Sequence, residues 1–125
     1  MPDFVAASDR VVAAFNAMDF ETLRSLMAPD LTFTHHGRPF ACDNRDDFID
    51  LLKDFAANVM KERELKVPDR ITASGNIVIR EGWYVGTASG NAEGWSQAGQ
   101  EVRHKTCTIY RFNDDGLLAE WTDYG

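Results

Sequence analysis

The spacing of apolar residues changes period partway along this chain, and that change limits the folds open to it. From Asp3 to Met18, the residues Phe4, Val11, Phe15 and Met18 fall on one helical stripe, with Val5 and Val12 beside it. Asp19 stands where an N-cap would open a second short helix, Phe20 to Met27, with Leu23, Leu26 and Met27 as its apolar face. Pro29 predicts the stop, because a proline disfavours helical geometry in the residue before it. "LTFTHH", Leu31 to His36, alternates like a strand, and "GRPF" reads as the loop closing it. A longer helix is predicted after "CDN", capped by Asp43 or Asn44, with Phe48, Leu51, Leu52, Phe55 and Val59 as its stripe. It should end near Glu64, before Pro68, so that "KERELK" at Lys61 to Lys66 is its solvated end.

The second half has period two. "RITAS" predicts a short strand, "GN" at Gly75 and Asn76 a turn, and "IVIREGWYVGTAS" a long strand. A Gly-rich loop, Gly90 to Gly99, carries Trp95 at its centre. "QEVRHKTCTIYRF" and "LLAEWTDY" are strands joined by the turn "NDDG", Asn113 to Gly116. Helices with one strand among them, followed by an antiparallel meander, predict a single α+β domain over residues 1–125, the helices packed on one face of a curved sheet.

Charge narrows the possible partners. A formal charge of −7 argues against nucleic acid, since the one dense run of basic residues, Lys61 to Lys66, mixes signs. No unbroken apolar stretch is long enough for a membrane span. The opening "MPDFVAASDR" lacks the basic start and apolar run of a secretory leader, which predicts a cytoplasmic protein. Cys42 and Cys107 form no CxxC pair and read as free thiols.

Two stretches carry a resemblance: "RVVAAFNAMDFETLRSLMAPDLTF" at Arg10 to Phe33, and "YRFNDDGLLAEWTDYG" at Tyr110 to Gly125. The first resembles the helix–helix–strand opening of the NTF2-like superfamily, and the second its closing hairpin, which typically ends W-x-D-Y. Ketosteroid isomerases, SnoaL-type polyketide cyclases, limonene-epoxide hydrolases and scytalone dehydratases share that fold. The resemblance implies a cone-shaped α+β barrel, with N-terminal helices on a curved, mainly antiparallel sheet enclosing a pocket. It also implies a homodimer formed through the outer sheet face, where Cys107, Ile109 and Arg111 would lie.

Alternation then sorts residues between pocket and exterior. Phe33 and His35 should face inward, with Thr34 and His36 turned away; Trp121 and Asp123 share one face of the last strand. Tyr84 shares the parity of Val78, Arg80 and Gly82, while His104, Thr106, Thr108 and Tyr110 share one in the neighbouring strand. Phe15 and Phe55 would add apolar wall from the helices.

The subfamilies differ in what this chain keeps. At the positions of the ketosteroid isomerase base, Tyr and Asp stand His35, Val11 and Thr108, so that mechanism is lost. Of the epoxide hydrolase Asp–Arg–Asp array only Asp123 is matched; Gly82 and Tyr84 stand in the other places. SnoaL-type cyclases imply a closing-strand Asp as general base with a pocket His, which fits Asp123 with His35 or His104.

A carboxylate beside Trp121 and Tyr110 loses hydration, and its pKa rises toward the range where it works as base or acid near neutrality. Asp123 with His35 would suit abstraction of a proton alpha to a carbonyl, with Tyr84 and Tyr110 donating to the enolate oxygen. The reading is a cofactor-independent acid/base enzyme, of isomerase, lyase or cyclase type, acting on a small apolar carbonyl or hydroxyl compound. A non-catalytic ligand-binding or assembly module of the same fold stays open beside it. "HH" is no metal grip, since adjacent strand residues point to opposite faces, and no H-E-x-x-H motif supports one.

Overall fold

Asp3 opens α1, Phe4–Asn16, by accepting a hydrogen bond from the Ala6 N–H at 3.0 Å. The structure, a computed structural model, describes residues 2–125. Val11 and Phe15 turn the apolar face of α1 into the core. Met18, in the left-handed region at φ 54°, redirects the chain into α2, Phe20–Ser25, which Asp19 caps through the Thr22 N–H. Asn44 caps α3, Arg45–Asn58, accepting from the Asp47 N–H at 2.8 Å, and Phe48, Ile49 and Ala56 are its buried face.

Seven strands follow and interleave: β1 Met27–His36, β2 Phe40–Cys42, β3 Glu62–Leu65, β4 Arg70–Ser74, β5 Ile77–Thr87, β6 Glu101–Phe112 and β7 Leu118–Tyr124. Their order in the sheet is β2-β1-β7-β6-β5-β3, with β4 also pairing β5. Every pairing is antiparallel except β1 with β7, which is parallel. The sheet curls around the helices, giving the cone-shaped α+β fold that the sequence leads one to expect. Leu23, Met27, Leu31, Phe48, Val78, Tyr110, Phe112 and Leu118 are fully buried between the two layers.

Several boundaries differ from the sequence reading, beginning with α2, which stops at Ser25 and not at Met27. The first strand starts at Met27, not Leu31, and runs through Pro29, which the sheet tolerates because the register against β7 shifts between Met27 and Thr32. "GRPF" is only partly a loop: Phe40 enters β2 and pairs with His35. Helix α3 ends at Asn58, and "KERELK" is no helix end, because its centre forms β3. Asn16 fixes that strand against α1: its side chain accepts from the Leu65 N–H at 2.8 Å and donates to the Leu65 carbonyl at 3.0 Å. Gly86 permits the close pairing of β5 with β3, since a Cβ there would overlap the Glu62 carbonyl oxygen.

Candidate functional site

The parallel pairing of β1 with β7 sets His35 beside Asp123 and Phe33 beside Trp121. On the other side of β7, β6 brings Thr108 opposite Asp123 and Tyr110 opposite Trp121. Asp123 Oδ1 accepts two hydrogen bonds, from Thr108 Oγ1 at 2.7 Å and from Trp121 Nε1 at 3.0 Å. No side-chain donor among the described residues reaches Oδ2. Burial pushes the Asp123 pKa up to about 6, while the Thr108 and Trp121 hydrogen bonds pull the other way. The ring of Trp121 is itself wedged among Phe15, Phe33, Phe48 and Tyr110, at centroid separations of 5.8, 6.3, 5.3 and 5.1 Å. The carboxylate is thus held by an indole that has little room to move.

Asp123 lines a cavity of about 80 Å³. Phe15, Phe33, Phe48, Leu51 and Leu52 give it apolar walls, and Phe40, Phe55, Tyr84 and Trp95 gather at one end. Besides Asp123 and the polar edges of the Tyr84, Trp95 and Trp121 rings, the polar side chains on its lining are His35, Arg63, Thr106 and Thr108. The volume is well under the roughly 150 Å³ of an apolar cavity that accepts benzene, so even a single ring enters only when part of the wall moves outward.

Of the residues singled out from sequence, Asp123, His35, Phe15, Phe33, Phe55, Tyr84, Thr108 and Trp121 share this cavity. His104 and Tyr110 do not line it. Their strand parity is as expected, but other side chains intervene. Trp95 packs edge-on against His104 at 5.1 Å, and Trp121 covers Tyr110, which lines a smaller space with Val12, Arg80 and Gly82. Arg80 is occupied elsewhere, donating to Ser8 Oγ at 3.0 Å and pairing with Asp9 to tie β5 to α1. Among the described residues no group of three or more His, Cys, Asp or Glu side chains is placed to hold a metal ion.

His35 is buried and neutral by environment: burial lowers its pKa first, with Arg38 and His36 adding to the effect and a backbone contact opposing it. Its Nδ1 lies 3.3 Å from the His36 carbonyl, a contact that suits the tautomer with the proton on Nδ1 and a lone pair on Nε2. Arg38 Nη2 lies 3.4 Å from His104 Nε2, and after burial its charge also lowers the His104 pKa. Replacing Arg38 with Gln should therefore raise the pKa of both imidazoles. NMR titration of their ring protons checks this; unchanged midpoints for both would contradict it.

Trp95 closes one end of the cavity. Its ring meets His35, Phe40, Phe55 and Tyr84 at centroid separations of 6.0, 6.1, 5.2 and 5.4 Å, and the Arg38 guanidinium covers it at 4.8 Å. Arg38 also donates to the Gly94 carbonyl at 3.1 Å, fastening the loop that carries Trp95. A Trp95→Ala variant should keep the fold and open this end. Diethyl pyrocarbonate should then modify His35 faster than in the wild type, as read by mass spectrometry at that residue. An unchanged rate would show that Trp95 does not control access.

Sequence reasoning missed Arg63. Only 8% exposed, it lines the same cavity, donates from Nη1 to the Phe15 carbonyl at 2.9 Å, and lies over the Phe15 ring at 3.9 Å. Its Nη2 is buried with no hydrogen-bond partner among the described residues, and burial lowers the pKa of the guanidinium. The mixed charges of "EREL" masked a period-two signal: Arg63 and Leu65 face inward, while Glu62 and Glu64 face solvent.

No helix of the described residues is long and apolar enough to cross a membrane. No curated protein matches the sequence. Solved structures share its fold at low identity. A candidate polyketide cyclase from Xanthomonas campestris pv. campestris is 21% identical, with a TM-score of 0.83, covering 98% of this chain and 89% of its own. An epoxide hydrolase of M. tuberculosis, described as LEH-like, is also 21% identical, with a TM-score of 0.78 over 97% of this chain and 80% of its own. A hypothetical protein from Catenulispora acidiphila, with a ketosteroid isomerase-like fold and solved in complex with trimethylamine, is 18% identical, with a TM-score of 0.77 over 100% of this chain and 86% of its own. The pattern of the SnoaL-like domain matches residues 9–121, and the chain belongs to that family.

Proposed function

We propose that the protein is a cofactor-independent acid/base enzyme that moves a proton on a small, largely apolar carbonyl or hydroxyl compound. The observation that supports this most is Asp123: a carboxylate on the wall of an aromatic cavity, one oxygen held by Thr108 and Trp121, its pKa raised to about 6. A carboxyl group so placed is within reach of both protonation states near neutral pH. Oδ1 is anchored, so Oδ2 is the atom that takes a proton from substrate carbon and returns it to another atom of the same compound. His35 Nε2, unprotonated and one strand away, accepts a hydrogen bond or the second proton from a hydroxyl of the substrate. Tyr84, buried on the lining with its pKa held well above the usual phenol range, stays protonated and donates to the oxygen on which charge develops. The SnoaL-like membership supports a pocket enzyme of this broad kind, and the fold alone leaves the reaction open.

A thermal-shift screen of small cyclic ketones, enones and alcohols against wild type and Asp123→Asn, followed by turnover assays on the hits, tests the proposal. Turnover by the wild type, reduced roughly 10²–10⁴-fold in the variant, is the expected result. Hits that bind both proteins equally and are turned over by neither would instead make the chain a non-catalytic ligand-binding module.

A further inference from the structure

Arg63 is the one charged cavity group that the proton-transfer scheme leaves unused. Among the described residues no carboxylate lies within 4.0 Å of its nitrogens. Its partners are a backbone carbonyl and the face of a phenyl ring, each offering only a fraction of a countercharge. One of its two terminal nitrogens has no acceptor among the described residues. A guanidinium withdrawn from water in this way is costly unless something anionic completes it. The fold nonetheless goes to some length to hold it there: Asn16 clamps β3 at Leu65, two residues on, and Gly86 lets β5 approach the strand at Arg63 itself.

We propose that the occupant of the cavity is a small single-ring carboxylate whose carboxyl oxygen accepts the hydrogen bond that Arg63 Nη2 lacks. This deepens the acid/base reading and rests on it for the pocket's role. The planar fork of an arginine matches a carboxylate, and the bond is charge-assisted on both sides. The ring follows from the walls, which are phenyl, indole and aliphatic groups around a narrow volume. The two charged groups line that space from different strands. Asp123 is on β7 and Arg63 on β3, with β6 and β5 between them in the sheet order. Tyr84 lies between them, its phenol sensing the charge of both Arg63 and Asp123. A bound acid would thus be anchored at Arg63, with its ring against Phe15 and Tyr84 and its far side turned to Asp123.

Benzoate and benzamide, matched in shape and different in charge, are the probes. Isothermal titration at pH 8 on the wild-type protein should give benzoate an affinity roughly tenfold or more above benzamide. Arg63→Met should abolish that preference, Arg63→Lys should keep part of it, and Asp123→Asn should keep it in full. Equal affinities, a preference for benzamide, or no binding of either by the wild type would overturn the proposal. So would a benzoate preference that survives in Arg63→Met. The wild-type comparison stands even if Arg63→Met fails to fold. Failure of the acid/base reading appears separately, as unaltered turnover in Asp123→Asn.

Discussion

An Asp123→Asn variant should melt at a higher temperature than the wild type at pH 7, and should lose catalytic turnover at the same time. The first effect follows from the pKa. Burial raises the Asp123 carboxyl from 3.8 to about 6, so the folded state favours its protonated form. The stability this contributes is fully present below the unfolded pKa near 4 and disappears as the pH rises through about 6. A shift of two units is worth about 3 kcal/mol, and at neutral pH the wild type has forfeited most of it. Asparagine has the same shape and no charge to desolvate. Its Oδ1 can still accept from Thr108 and Trp121, and its amide takes the place of the oxygen facing the cavity. Stability of the variant should therefore vary little with pH between about 4 and 6, where the wild type declines. Denaturant titrations of both proteins across that window decide the matter: parallel pH profiles would show that the carboxylate is well solvated after all.

The largest loss of stability should come from Phe48→Ala. Phe48 is fully buried, stacked on Phe33 at 4.3 Å between centroids with 17° between planes, and edge-on to Trp121 at 5.3 Å. Deleting the ring removes its transfer free energy and leaves a void that rigid aromatic neighbours cannot fill, at a cost of about 3–5 kcal/mol. That is a large part of the stability typical of a domain this size. The void would adjoin the cavity, and Trp121 would lose the contact that helps aim its Nε1 at Asp123. Phe55→Ala is the control, since Phe55 is only partly buried and should cost less. A smaller shift in denaturant midpoint for Phe48→Ala than for Phe55→Ala would mean that the core relaxes around the lost ring.

Both variants fall on residues whose surroundings were legible in the sequence. Trp121 and Asp123 could be placed side by side because alternation along one strand is a local rule, and the turn "NDDG" fixes where that strand begins. Which face looks inward came from the resemblance to the NTF2-like fold, and alternation then put Phe33 and His35 on it and gave Thr108 the parity of His104 and Tyr110. Three features escaped because each depends on contacts between distant segments. Strand β3 is four residues long and mostly charged, so nothing local marks it; it exists because β5 and Asn16 supply partners for its backbone. Arg63 was hidden with it. His104 and Tyr110 have the parity expected of pocket residues, yet Trp95 and Trp121 stand between them and the cavity, and parity says nothing about what lies in front of a side chain. The parallel pairing of β1 with β7 was likewise invisible, since a strand carries no mark of its neighbour's direction.

That parallel pairing also bears on the order in which the protein can assemble during synthesis. Strand β7 lies between β1 and β6, so it joins the sheet's early strands to its late ones. A ribosome delivers β1 and β6 before the strand that bridges them. Until residues 118–124 have emerged, two long strands each wait with one unpaired edge, a situation that invites association between nascent chains. The bridging pairs, such as Phe33 with Trp121, span most of the chain, so closing them carries the loop-closure cost of a slow, non-local step. The strand that carries Asp123 is thus also the last one needed to complete the sheet, and the buried carboxylate and the closed fold arrive together.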